Sequence, residues 1–213
     1  MIRVRKREDA PAELATKGYS DDAVKRAILE DQDEKSYICE RKVTTDYEVE
    51  HLLSQSHDET GINKWENLYI ACNYCNDKKK TSFDNIKHPD TYNVEDEINH
   101  SVDLENEHVT FTTTSDDPGI KQTVKLLDRM FNGTNAPNRV LMETRFYNQF
   151  KRSYNIFQGV VHDYLSGRKE EMRPVIETLI GLKSDYLAFK YRIIMENDIL
   201  RQDFGDQVKW NKL

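Results

Sequence analysis

No apolar run approaches the roughly 18 residues that a membrane-spanning helix needs, so the 213-residue chain is expected to have no membrane-embedded part. The start, MIRVRKRED, is basic but lacks the apolar centre of a signal peptide, and the expected location is cytoplasmic. Cysteine is scarce. Cys39, Cys72 and Cys75 are too few and too unevenly placed for a disulfide framework, and a Cys-x-x-Cys pair in such a chain suggests metal or redox chemistry instead. No Gly-x-x-x-x-Gly-Lys-Ser/Thr loop is present, so the chain shows no nucleotide-hydrolysing engine of its own. Internal repeats are also absent.

An excess of positive charge is missing too: the net charge is −7. Most of the deficit is local, because residues 81–120 hold ten acids against one base, a net of −9, and the remainder sums to +2. The first seven residues carry Arg3, Arg5, Lys6 and Arg7. A chain of this kind touches phosphates only locally and binds nucleic acid weakly alone, since non-specific affinity comes from neutralised phosphates.

What is present divides into four parts. Residues 1–34 are a basic segment followed by a helix at SDDAVKRAILE, with Ser20 as the expected N-cap and Val24, Ile28 and Leu29 as its apolar stripe. Residues 35–82 hold all three cysteines; YEVEHL alternates as a strand should, ENLYIAC reads as a second strand, and NYCNDKKK opens a helix. Residues 83–118 form an acidic connection with an expected hairpin at VDLENEHVTFTT. Residues 119–213 are helical: GIKQTVKLLDRMF is stopped by NGTNAPN, and a long helix follows in which Leu141, Met142, Phe146, Phe150, Tyr154, Phe157, Val161 and Tyr164 recur at helical spacing. A last helix is expected from about Pro174 to Arg201, with the proline in its first turn. The fold class is α+β.

The chemistry concentrates between residues 36 and 80. Cys39, Cys72 and Cys75 resemble three ligands of an all-cysteine zinc site, which would give a zinc-ribbon-like cluster. Residue 36, where a fourth cysteine would complete the set, is Ser, so His57 or another group must complete the site. Three buried apolar cysteines without metal are the alternative. Beside them, Glu50 and His51 end a strand, Asn67 opens the returning strand, and Asn76 lies at the helix start. That order builds a one-metal phosphodiesterase on a ββα unit. His51 would deprotonate water, Glu50 and Asn76 would offer oxygen donors to Mg²⁺ or Mn²⁺, and Asn67 would hold the loop or the imidazole in register. Lys78, Lys79 and Lys80 would lie near phosphates, with a solvated basic turn as the alternative.

The same residues carry a resemblance. EH at 50–51, WENL at 65–68 and CNYCN at 72–76 resemble the HNH endonuclease motif in its variant with Asn last, and SYICE at 36–40 is similar to that family's Cys-x-Tyr-Cys-Glu, with Ser36 and Ile38 as departures. The motif covers about a fifth of the chain. The resemblance implies a ββα-metal unit, metal-dependent phosphodiester cleavage, and a nucleic-acid substrate, DNA favoured over RNA. The flanking stretches, MIRVRKREDAPAEL, NIKHPDTYNVEDEI and TVKLLDRMFNGTNAPN, resemble the nuclease subunit of Septu-type, retron-associated anti-phage systems, which implies an SMC/ABC-like ATPase partner. A non-catalytic zinc-binding adaptor between an ATPase and nucleic acid is the alternative, indifferent to His51 and Asn67. A redox role for Cys72 and Cys75 lacks the surrounding βαβ pattern it would need.

Overall fold

The computed structural model describes residues 1, 3–57, 59–91, 94–134 and 138–208. In chain order the elements are α1 (Ala12–Lys17), α2 (Asp22–Asp31), β1 (Tyr47–His51), β2 (Leu68–Cys72), α3 (Asn73–Lys79), α4 (Val94–Glu97), β3 (Asn99–Asp103), β4 (His108–Thr112), α5 (Pro118–Asn132), α6 (Leu141–Leu165), α7 (Lys169–Leu179), α8 (Leu187–Glu196) and α9 (Asp198–Phe204). Residues 92–93 of NIKHPDTYNVEDEI and 135–137 of NGTNAPN lie outside the described residues.

β1 and β2 pair antiparallel, with Tyr47 opposite Cys72 and His51 opposite Leu68. All five residues of β2 are buried, so the strand needs cover on its other edge as well. Gln32 supplies it at the end of α2: its Nε2 donates to the Ile70 carbonyl at 2.9 Å and its Oε1 accepts from the Ile70 N–H at 2.8 Å. The Tyr37 N–H adds a bond to the same carbonyl at 3.0 Å. α3 starts directly after Cys72 with no intervening loop, which presses its face onto the β1–β2 ribbon.

The second ribbon, β3–β4, runs from Asn99 opposite Thr112 to Asp103 opposite His108 and lies on α5. It therefore begins earlier than the hairpin expected from residue 102. Within it His100 and Phe111 pack on Phe189 of α8, Phe111 also meets Phe131 of α5, and both of those rings meet Phe150 of α6; the Phe150 and Phe189 ring centroids are 4.6 Å apart. α6 spans 25 residues and serves two cores: Phe146, Tyr147, Phe150 and Tyr154 join the first, with both ribbons, while Phe157, Val161 and Tyr164 join a second with α7, α8 and α9.

Several expectations are corrected. The final helix is three helices. The chain turns at Gly181, where the Ser184 N–H bonds the Gly181 carbonyl at 2.8 Å, and Tyr186 takes a left-handed φ of 50° before α8. Asn197 then caps α9, accepting from the Ile199 and Leu200 N–H groups. Pro174 sits inside α7 rather than in a first turn. At α2 the cap is Asp21, not Ser20: its carboxylate accepts from the Ala23 N–H at 2.9 Å. The basic start is folded inward. Lys6 donates to the Trp65 and Leu68 carbonyls and lies over the Trp65 and Tyr69 rings, while Arg7 pairs with Glu30 and Asp31. Burial lowers the Lys6 pKa to about 8. The acids of the connection are largely engaged: Asp116 and Asp117 face Lys121 and Lys87, and Glu107 faces Lys151.

Candidate active site

Strand alternation assigns the side chains of β1 to two faces. Glu48 and Glu50 point toward α3, where Asn76 and Lys79 sit three residues apart, one helical turn on the same face. The contacts agree: Asn76 Nδ2 donates to Glu48 Oε2 at 2.6 Å, and Lys79 Nζ lies 2.7 Å from Glu50 Oε1. The second oxygen of Glu50 accepts from the Tyr37 hydroxyl at 2.7 Å. Burial pushes the Glu50 carboxyl upward, and Lys79 opposes that shift. Asn76 is thus the fourth residue of α3, and its amide meets Glu48 rather than Glu50.

His51 faces the other side. Its Nε2 lies 2.9 Å from the Ile62 carbonyl. A carbonyl only accepts, so Nε2 carries the proton and the lone pair is on Nδ1. The amide of Gln55 approaches that nitrogen at 3.2 Å, and the Tyr19 ring stands edge-on at 4.8 Å. The imidazole is buried, and desolvation lowers its pKa. The 52–66 loop is pinned by Asn67, whose Oδ1 accepts from the Leu53 N–H at 2.8 Å and whose Nδ2 donates to the Leu53 carbonyl at 3.0 Å and the Gly61 carbonyl at 3.4 Å. Asn67 therefore holds the two ends of the loop that supplies the Ile62 carbonyl.

The cysteines converge. Residues 35–42 form a knuckle closed by Ser36 N–H to the Arg41 carbonyl and Glu40 N–H to the Ser36 carbonyl, both at 2.9 Å. It brings Cys39 against Cys72 at the end of β2 and Cys75 in the first turn of α3. The three buried Sγ atoms lie within 4.8 Å of one another, 3.9 Å for Cys39 and Cys72, and none is in a disulfide. Three thiols at that separation fit three corners of a tetrahedral zinc site. Among the described residues no His, Cys, Asp or Glu joins them as a fourth. His57 turns instead to Asp84, and the Ser36 hydroxyl is occupied by the Cys72 N–H at 3.1 Å. Hydrogen bonds from Cys39 and Cys75, with the Arg41 charge, push the Cys72 thiol below its ordinary range, while burial raises Cys39 and Cys75.

Two of the three lysines expected near phosphates are placed otherwise, while Lys80 is exposed. Lys79 is fully buried on Glu50, and Lys78 donates to the buried Glu143 of α6 at 2.6 Å. Sequence reasoning passed over Tyr37, Glu48, Gln55 and Asp84. Only Glu48 had a local signal, two residues before Glu50 on the same strand face.

One segment thus holds a β-β-α order, a histidine fixed by a loop carbonyl and a cysteine cluster at the strand–helix junction. Residues 37–82 match the family model described as HNH endonuclease. The match supports an HNH-type domain in that part of the chain, a domain class that implies nucleic-acid binding, metal dependence and nuclease activity. Neither the curated proteins nor the solved structures yield a significant match. Among the described residues, no helix is long and apolar enough to cross a membrane.

Proposed function

We propose that residues 35–82 are a metal-dependent HNH endonuclease unit that hydrolyses nucleic-acid phosphodiester bonds with His51 as general base. The observation that carries this reading is the 2.9 Å contact between His51 Nε2 and the Ile62 carbonyl, which leaves Nδ1 as the basic nitrogen. His51 Nδ1 takes the proton of the attacking water, which displaces the Gln55 amide from that nitrogen, and Asn67 keeps the loop carbonyl in register. The oxygen donors of Glu50 and Asn76, with Glu48 beside them, suit a hard cation, and Glu50 already holds a positive charge in Lys79. Bound there, Mg²⁺ or Mn²⁺ would supply positive charge to the phosphate and the leaving oxygen. Zinc on Cys39, Cys72 and Cys75 would staple the knuckle to the strand–helix junction.

The wider reading is an effector nuclease of a cytoplasmic anti-phage complex resembling Septu-type systems, acting on DNA in preference to RNA. Its support is the resemblance of the flanking segments together with the lack of a nucleotide-binding loop, which an SMC/ABC-like ATPase partner would provide. The test is cleavage of plasmid DNA and total tRNA in Mg²⁺ or Mn²⁺, with and without a co-encoded ATPase. His51→Ala should lower the cutting rate by about 10²–10⁴-fold with the fold intact. Cutting unchanged in that variant would overturn the mechanism and favour the zinc-binding adaptor.

A further inference from the structure

Lys79 has no route to solvent and contacts three acceptors. Its Nζ lies 2.7 Å from Glu50 Oε1, 3.1 Å from the His51 carbonyl oxygen and 3.7 Å from Asp84 Oδ1. Asp84 lies beyond the HNH match yet reaches back into it, with its side chain 11% exposed. Its two oxygens differ. Oδ2 receives the Ser54 hydroxyl and the His57 ring, while Oδ1, the one nearest Lys79, is buried with no hydrogen-bond partner among the described residues. A buried carboxylate oxygen left unpaired beside an ammonium is costly unless some state of the protein uses it. The gap of 3.7 Å exceeds a normal N–H···O distance by only about 1 Å, within reach of a flexible lysine stem.

Glu50 has the opposite difficulty. Both of its oxygens are taken, one by the neutral Tyr37 hydroxyl and one by the Lys79 ammonium. A divalent cation approaching this carboxylate meets a like charge at Lys79. Stripping Lys79 away in the metal-free protein would instead leave a bare buried carboxylate, which is strongly destabilising.

We propose that Lys79 is a removable counter-cation for Glu50 and that Asp84 is its alternative seat. Without metal, Lys79 neutralises Glu50 and keeps the β1–α3 seam satisfied. When a divalent cation takes Glu50, Lys79 moves onto Asp84 Oδ1, which Ser54 and His57 hold in place from the other oxygen. Asp84 is therefore a positioning residue, and it tunes metal affinity without touching the metal. This inference rests on the metal site of the proposed nuclease.

The test needs no nucleic acid. Mn²⁺ binding by titration calorimetry, and thermal midpoints with and without Mn²⁺, are compared for the wild type, Lys79→Met, Asp84→Asn and Glu50→Gln. Lys79→Met should melt lower without metal, bind Mn²⁺ about tenfold more tightly and gain more from it, a coupling of ordinary size between two sites. Asp84→Asn should keep the metal-free fold and bind Mn²⁺ about tenfold more weakly, because a neutral amide cannot take the ammonium's charge. Glu50→Gln should bind none. Equal Mn²⁺ affinity in the wild type, Lys79→Met and Asp84→Asn would overturn the exchange while leaving the metal site standing. If Lys79→Met fails to fold under any condition, Asp84→Asn decides: affinity equal to the wild type overturns the exchange. A wild type that binds no Mn²⁺ would overturn both readings together.

Discussion

The HNH-like segment and the C-terminal helices bury opposite kinds of side chain. Within residues 35–82, Lys35, Ser36, Glu40, Glu50, His51, Asn67 and Lys79 are all buried, whereas Lys190 is the one buried charged or polar side chain described between Phe157 and Val208. The helical cluster is made of Phe157, Val161, Tyr164, Ile176, Leu187, Tyr191, Leu200, Phe204 and their neighbours. Burying charge costs free energy even when it is paired, while apolar packing returns it. The contrast teaches where this chain keeps its stability and where it keeps its chemistry. The first core includes the ribbon that carries the site, and α6 links that core to an apolar cluster beside which Lys190 is the one such burden among the described residues.

The largest effect should come from emptying the apolar side of this contrast. Phe157→Ala removes a fully buried ring from the second cluster and should cost about 3–5 kcal/mol, measured by urea denaturation. A cost below about 1 kcal/mol would mean that the helical cluster is not the stabilising half.

The next effect concerns a buried imidazole outside the site. Burial drives His100 down to about 4, with its ring 4.5 Å from Phe189. A base whose pKa is lower in the folded state takes up its proton more readily when unfolded, so its contribution is complete above about pH 6.5 and is lost as pH falls toward 4. Between pH 7 and pH 4 the wild type should lose about 3 kcal/mol more than His100→Leu does. Parallel pH profiles for the two proteins would assign the acid loss elsewhere.

Asn67→Ala tests the polar side. It deletes the bonds to the Leu53 N–H, the Leu53 carbonyl and the Gly61 carbonyl, and should cost roughly 1–3 kcal/mol while misplacing the Ile62 carbonyl. Chemical denaturation gives the first number, and the cleavage rate reports the second. A variant of unchanged stability and rate would show that the loop holds its own shape. The smallest shift should follow metal removal from the cysteines. A chelator should lower the wild-type thermal midpoint by a few degrees and leave Cys75→Ser unmoved, since three ligands hold zinc less firmly than four. Equal behaviour of the two would indicate three structural thiols without metal.

Much of the candidate site was legible along the chain because its signals are short-range. Alternation in YEVEHL placed Glu50 and His51 at a strand end, and the Cys72–Cys75 spacing set two thiols at the start of a helix. The long helix of 141–165 was readable from its apolar recurrence. The last helices were misread because a continuous apolar pattern hides a turn: the break rests on Gly181, on the left-handed Tyr186 and on the Asn197 cap. Lys79 was misassigned for a different reason, since a lysine among lysines reads as solvated until its partner across the fold is known.

The sequence alone determined the strand–loop–strand–helix order and the inventory of donors, because strand alternation, helix caps and Cys-x-x-Cys spacing act over a few residues. Tertiary structure decided which donors meet. Only the packing of α3 on β1 brings Lys79 to Glu50, only the return of the chain after α3 brings Asp84 to Lys79 and His57, and only the loop pinned by Asn67 presents Ile62 to His51. Those pairings join residues up to 29 positions apart, as with Glu50 and Lys79, and nothing in the local pattern of either partner specifies the other.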